Sequence, residues 1–240
     1  MLTQLLKKGN LKMFIKEIED KYAPQQIGDI IWGNTESKLR IQDIVTGAEM
    51  LPSSGKSAIL LYGTFGTGKT TLACMLPSAI ENGRNGSTLN NPYDFIACQQ
   101  GFNGPQVMKL IQDVLTKVSF NQSGLHYFIL DEVDNLTKLA QQSLKSALNT
   151  HRGLFVLTTN NVASLDKGLL DRCVLVEMNA APTSAYIPLI EKIIQGSNVV
   201  LNDKELESTI HGARGSFRNL VHNVERYLRR NGQDPAKLTI

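Results

Sequence analysis

The chain has 240 residues, of which 42% are hydrophobic and 20% charged, and carries a formal net charge of +3. That is enough material to bury one large core, or one medium and one small, and too weak a basic balance to announce nucleic acid by charge alone. No apolar run approaches the roughly 18 residues needed to cross a bilayer, and the opening "MLTQLLKKGNLKMFIKEIEDKY" mixes lysines with acids and has no small-residue cleavage site, so a cytoplasmic protein with no membrane partner is expected. The cysteines Cys74, Cys98 and Cys173 are odd in number and far apart, which fits free buried thiols better than a disulfide framework or a zinc ribbon.

In chain order, residues 1–20 read as a helical extension, with Leu11, Phe14, Ile15 and Ile18 at helical spacing. The apolar run Ala58–Tyr62 predicts a strand, and "GTFGTGKTT" follows it at once. Gly63, Gly66 and Gly68 permit backbone angles closed to other residues and turn N–H groups toward a triphosphate, in a loop completed by Thr64, Phe65, Thr67 and Thr71. Lys69 is placed to reach the β- and γ-phosphates and the Thr70 hydroxyl to ligate Mg²⁺. The sequence "TTLACMLPSAI" continues as a helix whose N-terminal dipole faces the phosphates, and "ENGRNGSTLNNP" reads as an exposed loop.

A second strand is expected at Tyr93–Cys98 and a third at His126–Leu130, where "HYFILDEVDNLT" sets Asp131 and Glu132 at the end of an apolar run. One carboxylate there holds the Mg²⁺ water shell, and its neighbour orients and deprotonates an attacking water; the plain alternative for Glu132 is a helix N-terminal acid stabilised by the dipole. The strand Gly153–Thr158 ends in Thr158, Thr159, Asn160 and Asn161. If it lies between the other two in the sheet, an amide at its tip reaches the γ-phosphate and the lytic water; by itself Asn–Asn is turn chemistry. A fifth strand is expected at Cys173–Met178, and five strands alternating with helices imply an α/β fold with a parallel sheet covered on both faces. From Pro182 onward three helices are expected, the last capped by Ser216, with Phe217, Leu220, Val221 and Val224 facing inward and Arg218 in the exposed first turn. From His211 to Ile240 there are six Lys/Arg against two acids, a basic end that a solvated helix face also explains.

The order of these pieces resembles an AAA+ ATPase of P-loop NTPase type, and more narrowly the clamp-loader subunits of the replication factor C and bacterial DNA polymerase III γ and δ′ group. The similar stretches are "KYAPQQIGDIIWGNTES", "ILDEVDNLTKLAQQSLKSAL", "LDKGLLDRCVLVEM" and "GARGSFRNLVHNVE". The resemblance implies that Lys69 and Thr70 belong to Walker A, Asp131 and Glu132 to Walker B, and Asn160 to sensor 1. It also implies that Arg172 is an arginine finger inserted into a neighbour's ATP site, that Arg218 is a sensor 2 residue, and that Tyr22, Ala23 and Pro24 edge the adenine pocket. ATP and Mg²⁺ are the cofactors it implies, with other AAA+ subunits, the same or related, as partners.

Departures from the pattern are Asp171 where the family carries Ser, Thr64 and Phe65 in place of a double proline, and an end soon after the lid, where clamp loaders continue into a helical collar. A protein largely monomeric alone, assembling with ATP, DNA or a partner, is therefore expected. Arg172 has its own plain alternative, a local pair with Asp171.

The domains read as an extension over 1–20, an ATPase domain over 21–180 and a helical lid over 181–240. In the group resembled, DNA backbone is tracked without sequence specificity by residues at helix starts, which implies Gln100, Asn103, Lys109, Lys138 and Lys145, with Pro105 in a helix first turn. A clamp-loader-like ATPase of DNA replication is the first reading. A helicase-loading or transposition-targeting ATPase, and a δ′-like non-motor subunit, are the alternatives, with a sliding clamp or a replicative helicase as the further partner.

Overall fold

Five short apolar runs pair side by side and all in parallel, in the order β2-β3-β4-β1-β5. They are β1 (Ala58–Tyr62), β2 (Tyr93–Ala97), β3 (His126–Asp131), β4 (Gly153–Thr159) and β5 (Cys173–Glu177). Each lies within a residue of its sequence-based boundary. The computed structural model describes residues 22–100, 104–195, 197 and 199–234. The N-terminal extension expected over 1–20 and the candidate Asn103 lie outside the described residues.

Burial follows strand position. All of β4 is buried and β3 is buried up to its last residue, whereas the edge strand β2 exposes all but Ile96. Central strands of a parallel sheet are covered on both faces, so they read as unbroken apolar runs; edge strands do not. Phe128 and Phe155 stack between β3 and β4 with ring centroids 4.8 Å apart. The helices of this unit are α1 (Thr35–Thr46), α2 (Lys69–Asn85), α3 (Gly104–Leu115), α4 (Lys138–Ala147) and the short α5 (Lys167–Asp171). Helix α2 runs unbroken through Pro77.

By its contacts the chain divides into two compact units, Trp32–Asn179 and a second formed by Met1–Ile31 with Ala180–Ile240. The described part of the second is helical: a 3₁₀ turn at Thr183–Tyr186, then α6 (Ile187–Ile194), α7 (Asp203–Ala213) and α8 (Phe217–Arg230). Ser216 caps α8 by accepting from the Asn219 N–H, and Asn202 with Glu205 forms a capping box at α7. Leu220, Val221, Val224 and Leu228 fill the core of this unit, while Phe217 is half-buried. Residues 22–31, read from the sequence with the ATPase domain, group here because Tyr22 is buried in the same cluster as Tyr186, Ile190 and Ile193.

One buried carboxylate ties the sheet to α2. Glu81 is fully buried and accepts from Tyr127 Oη at 2.7 Å, from Ser123 N–H and Asn85 Nδ2 at 3.0 Å each, and from the Ser123 hydroxyl. Burial alone would raise its pKa, but the donors from Ser123, Tyr127 and Asn85 outweigh that and hold the carboxyl below its usual range. A depressed folded pKa contributes stability above the unfolded value of about 4.5, lost as pH falls through the folded one. Glu81→Gln leaves at least one donor without an acceptor and is expected to cost roughly 1–3 kcal/mol at neutral pH, or about 2–4 °C in melting temperature per kcal/mol. Thermal melts should show the gap between wild type and variant narrowing below about pH 4.5; a gap independent of pH would mean that folding does not shift the Glu81 pKa.

Candidate functional site

The strand order decides what meets what. Because β4 lies between β1 and β3, its C-terminal tip sits between the glycine loop that leaves β1 and the acids that leave β3. This is the edge of a parallel sheet where ligands of α/β proteins bind.

Gly66 and Gly68 have φ of +73° and +91°, the left-handed region, and Gly68 is the N-cap of α2. Gly63, with φ of +140°, is required for a second reason: a Cβ there would stand 2.6 Å from the Met178 carbonyl oxygen and 2.8 Å from Asn179 Oδ1. Lys69 opens α2 and is only 7% exposed. Its ammonium donates to the carbonyls of Gly63 at 3.0 Å and Thr64 at 2.6 Å. Burial lowers its pKa, and the fields of Asp131, Asp134 and Glu132 oppose that shift. A desolvated cation held by neutral carbonyls, with no ion pair among the described residues, suits an anion that supplies the missing charge.

Thr70 Oγ1 donates to Asp131 Oδ1 at 2.7 Å, and Thr158 Oγ1 donates to the same oxygen at 2.7 Å. Thr158 also accepts the Glu132 N–H at 2.9 Å. A hydroxyl and a carboxylate in contact are two hard oxygen donors of the kind Mg²⁺ takes, so Thr70 and Asp131 fit that ion when it arrives with a nucleotide. Among the described residues no group of three or more His, Cys, Asp or Glu forms a metal cluster by itself.

Glu132 is exposed and sits at φ +57°, ψ +54°, a left-handed backbone rare for a side-chain-bearing residue. It precedes a 3₁₀ turn, Val133–Asn135, without capping it by its side chain; Oε2 instead accepts from Asn135 Nδ2 at 3.2 Å. Asn135 Nδ2 donates as well to the Cys98 carbonyl at 3.1 Å. Asn160 is half-exposed just past β4, and its side chain has no hydrogen-bond partner among the described residues. Thr159 Oγ1 donates to Asp134 Oδ1 at 2.8 Å, which fixes the turn that carries Glu132.

Three residues that organise this site were not singled out as site residues in the sequence: Thr158, Asn135 and Asn179. Thr158 had a signal, a polar residue closing an apolar strand. It bridges Asp131 and Glu132 because the register pairs Leu130 with Leu157, one step earlier.

Arg172 caps α5 ahead of β5, and its guanidinium donates from Nε to Asn149 Oδ1 and from Nη1 to the Gly168 carbonyl, each at 2.9 Å. The local pair with Asp171 is not formed, and no carboxylate pairs with Arg172 among the described residues. Thr64 and Phe65 lie on the exposed rim of the loop, with Phe65 73% exposed, while Gly66 and Thr71 are half-buried and Thr67 donates from Oγ1 to the Thr64 carbonyl. Tyr22, Pro24 and Arg218 belong to the helical unit, where Arg218 is exposed in the first turn of α8. Lys109 is exposed on α3, and Gln100 is exposed after β2. Lys138 donates to the Ser164 carbonyl at 2.6 Å, and Lys145 stands 3.9 Å from Asp166. The cysteines are free, with burial pushing the Cys98 and Cys173 thiols up to about 12.

A glycine loop between a buried parallel strand and a helix, paired with a carboxylate on a strand two places away, defines a nucleotide-binding domain of the P-loop class. The family described as "ATPase family associated with various cellular activities (AAA)" matches residues 59–179, more than half of the chain, and the chain belongs to it. Among curated proteins it is similar to replication factor C small subunit 2 of Pyrobaculum islandicum, 25% identical over 210 residues covering 86% of this chain and 62% of that one. It is likewise 25% identical over 213 residues to the probable replication factor C subunit 2 of Dictyostelium discoideum, covering 86% and 59%. The chain thus spans about three fifths of the length of these relatives. Its fold matches the Thermotoga maritima RuvB Holliday junction branch migration motor at a TM-score of 0.62, with 19% identity over 89% of this chain and 68% of that one. It also matches a DNA polymerase III γ subunit-related protein from the same organism at 0.54, with 17% identity over 77% and 57%. The chain is therefore an AAA+ protein that resembles clamp-loader subunits. Among the described residues no helix is long and apolar enough to cross a membrane.

Proposed function

We infer that this protein binds ATP with Mg²⁺, hydrolyses it to ADP and phosphate, and uses the cycle to assemble with other AAA+ subunits on DNA in replication, in the manner of a clamp loader. The observation that carries the reading is the meeting of Lys69, held by the loop carbonyls, with Thr70, Asp131 and Glu132, which are joined through Thr158, at one end of the sheet. The likeness to replication factor C subunits supplies the biological setting.

Each residue has a part in this reading. Lys69 and the loop N–H groups hold the β- and γ-phosphates, Thr70 and Asp131 hold Mg²⁺, and Glu132 takes a proton from the attacking water. Bound Mg²⁺ would offset charge on the phosphate oxygens. In this reading Asn160 is the sensor 1 amide for the γ-phosphate, Arg218 the sensor 2 residue, and Tyr22 and Pro24 the residues of the adenine side. Arg172 serves the site of a neighbouring subunit.

Duplex DNA is expected to stimulate hydrolysis, with binding that weakens steeply with salt at a log–log slope of about −0.9 per phosphate contacted. Replacing Lys109, Lys138 and Lys145 together by alanine should flatten that slope by about one unit for each lysine that meets a phosphate and remove the stimulation, leaving DNA-free nucleotide binding unchanged. Fluorescence anisotropy across a salt series, beside an ATPase assay with and without DNA, measures both. Undiminished stimulation in the triple variant would place the DNA contacts elsewhere. Pull-down with a sliding clamp against a replicative helicase separates the clamp-loading role from a helicase-loading one.

A further inference from the structure

The end of β5 holds the glycine loop through side chains. Thr64 N–H donates to Asn179 Oδ1 at 3.1 Å, and Asn179 Nδ2 donates to Glu177 Oε1 at 2.5 Å. The other oxygen of that carboxylate, Oε2, accepts from Asn34 Nδ2 at 3.0 Å. Asn34 Oδ1 in turn caps α1, accepting the N–H groups of Glu36 at 2.9 Å and Ser37 at 3.4 Å. The Met178 N–H donates to the Tyr62 carbonyl at 2.7 Å and fixes the backbone between the two relay residues.

The direction of this relay is set by chemistry. A carboxylate only accepts, so Glu177 forces both flanking amides to turn their NH₂ groups toward it. Asn179 must then present its oxygen to Thr64 N–H, and Asn34 its oxygen to the start of α1. Thr64 is pinned at both polar backbone atoms, because its carbonyl receives the Lys69 ammonium and the Thr67 hydroxyl. Gly63 is bare so that the loop can lie against Met178 and Asn179.

We propose that Glu177 and Asn179 are positioning residues for the nucleotide loop, fixing its first turn so that the N–H groups beyond Thr64 and the Lys69 ammonium are aligned for phosphate before it binds. The inference rests on the nucleotide reading of the Gly63–Thr70 loop. It makes a prediction of unusual sign. Glu177 is a negative charge close to a site for a polyanion, so by Coulomb's law alone its neutralisation tightens nucleotide binding. Through the relay, neutralisation weakens binding: the single carbonyl oxygen of a glutamine cannot serve the amides of both Asn34 and Asn179, and Asn179 is released from its orientation.

The test is a titration of the full chain with N-methylanthraniloyl-ADP and Mg²⁺, beside hydrogen exchange at the Thr64 amide without nucleotide. Asn179→Ala should bind about tenfold more weakly, the worth of one loop hydrogen bond with its stranded partner. The isosteric Glu177→Gln should bind severalfold more weakly, and the double variant no more weakly than the worse single one, because both act through one bond. Thr64 exchange should quicken in all three. Equal or tighter binding by Glu177→Gln, or additive losses in the double variant, would overturn the proposal while Lys69→Ala still abolishes binding. Wild type and Lys69→Ala both failing to bind would instead overturn the nucleotide reading, and the proposal with it.

Discussion

Glu132→Gln is expected to bind ATP as the wild type does and to hydrolyse it about 10²–10⁴-fold more slowly, the usual contribution of a positioned general base. The substitution is nearly isosteric. Glutamine retains an oxygen that can accept from Asn135 Nδ2, and the backbone bond from residue 132 to Thr158 is untouched. Only the ability to take a proton is removed. Lys69→Ala is the companion variant, because it strips the buried cation from the loop and should abolish binding itself. Equilibrium binding with a slowly hydrolysed ATP analogue and single-turnover hydrolysis separate the two, and wild-type turnover by Glu132→Gln would show that another group activates the water.

Arg172→Ala should also bind ATP normally and lose hydrolysis, by roughly 10³–10⁵-fold if it acts as fingers do in other P-loop enzymes. The geometry suits a residue on loan to another subunit. Its guanidinium is held by two neutral acceptors, Asn149 Oδ1 and the Gly168 carbonyl, so its charge is not cancelled by a carboxylate among the described residues. Arg172→Ala also removes those two local bonds, so a melting curve belongs beside the assay. The decisive step is mixing: Arg172→Ala contributes an intact base, and Glu132→Gln an intact finger. Mixed assemblies should regain activity that neither has alone, and no recovery at any ratio would assign Arg172 a role within its own chain.

Much of this protein could be read before any coordinates, and the limits of that reading have identifiable causes. Strands were legible because a buried parallel strand is a continuous apolar run, as in "AILLY" and "GLFVLTT", ended by polar or glycine residues. The loop and the acids beside it were legible because they are contiguous in sequence. What was not legible depends on distance along the chain. The role of Thr158 requires β4 to be adjacent to β3, and that of Asn179 requires contact with a residue 115 positions away. For Arg172 the plain alternative to a finger was a pair with Asp171, its neighbour, but its side-chain partners are Asn149, 23 positions earlier, and the Gly168 carbonyl. Segment 22–31 was read with the ATPase domain on the resemblance of "KYAPQQIGDIIWGNTES" to the entry segment of clamp-loader subunits; its grouping is decided by where Tyr22 buries its ring, among residues that come more than 160 positions later.

Glu132 holds a left-handed backbone that glycine would hold at lower cost. A non-glycine residue held in that region costs on the order of 1–3 kcal/mol and persists only where the surrounding structure holds it, here through the Glu132 N–H bond to Thr158. Glycine fits the same angles without strain, so Glu132→Gly is the cheapest escape open to a descendant that no longer needs to hydrolyse nucleotide. If Glu132 acts as the base, related chains that keep an acid at this position should retain turnover, and chains with glycine there should bind nucleotide without hydrolysing it.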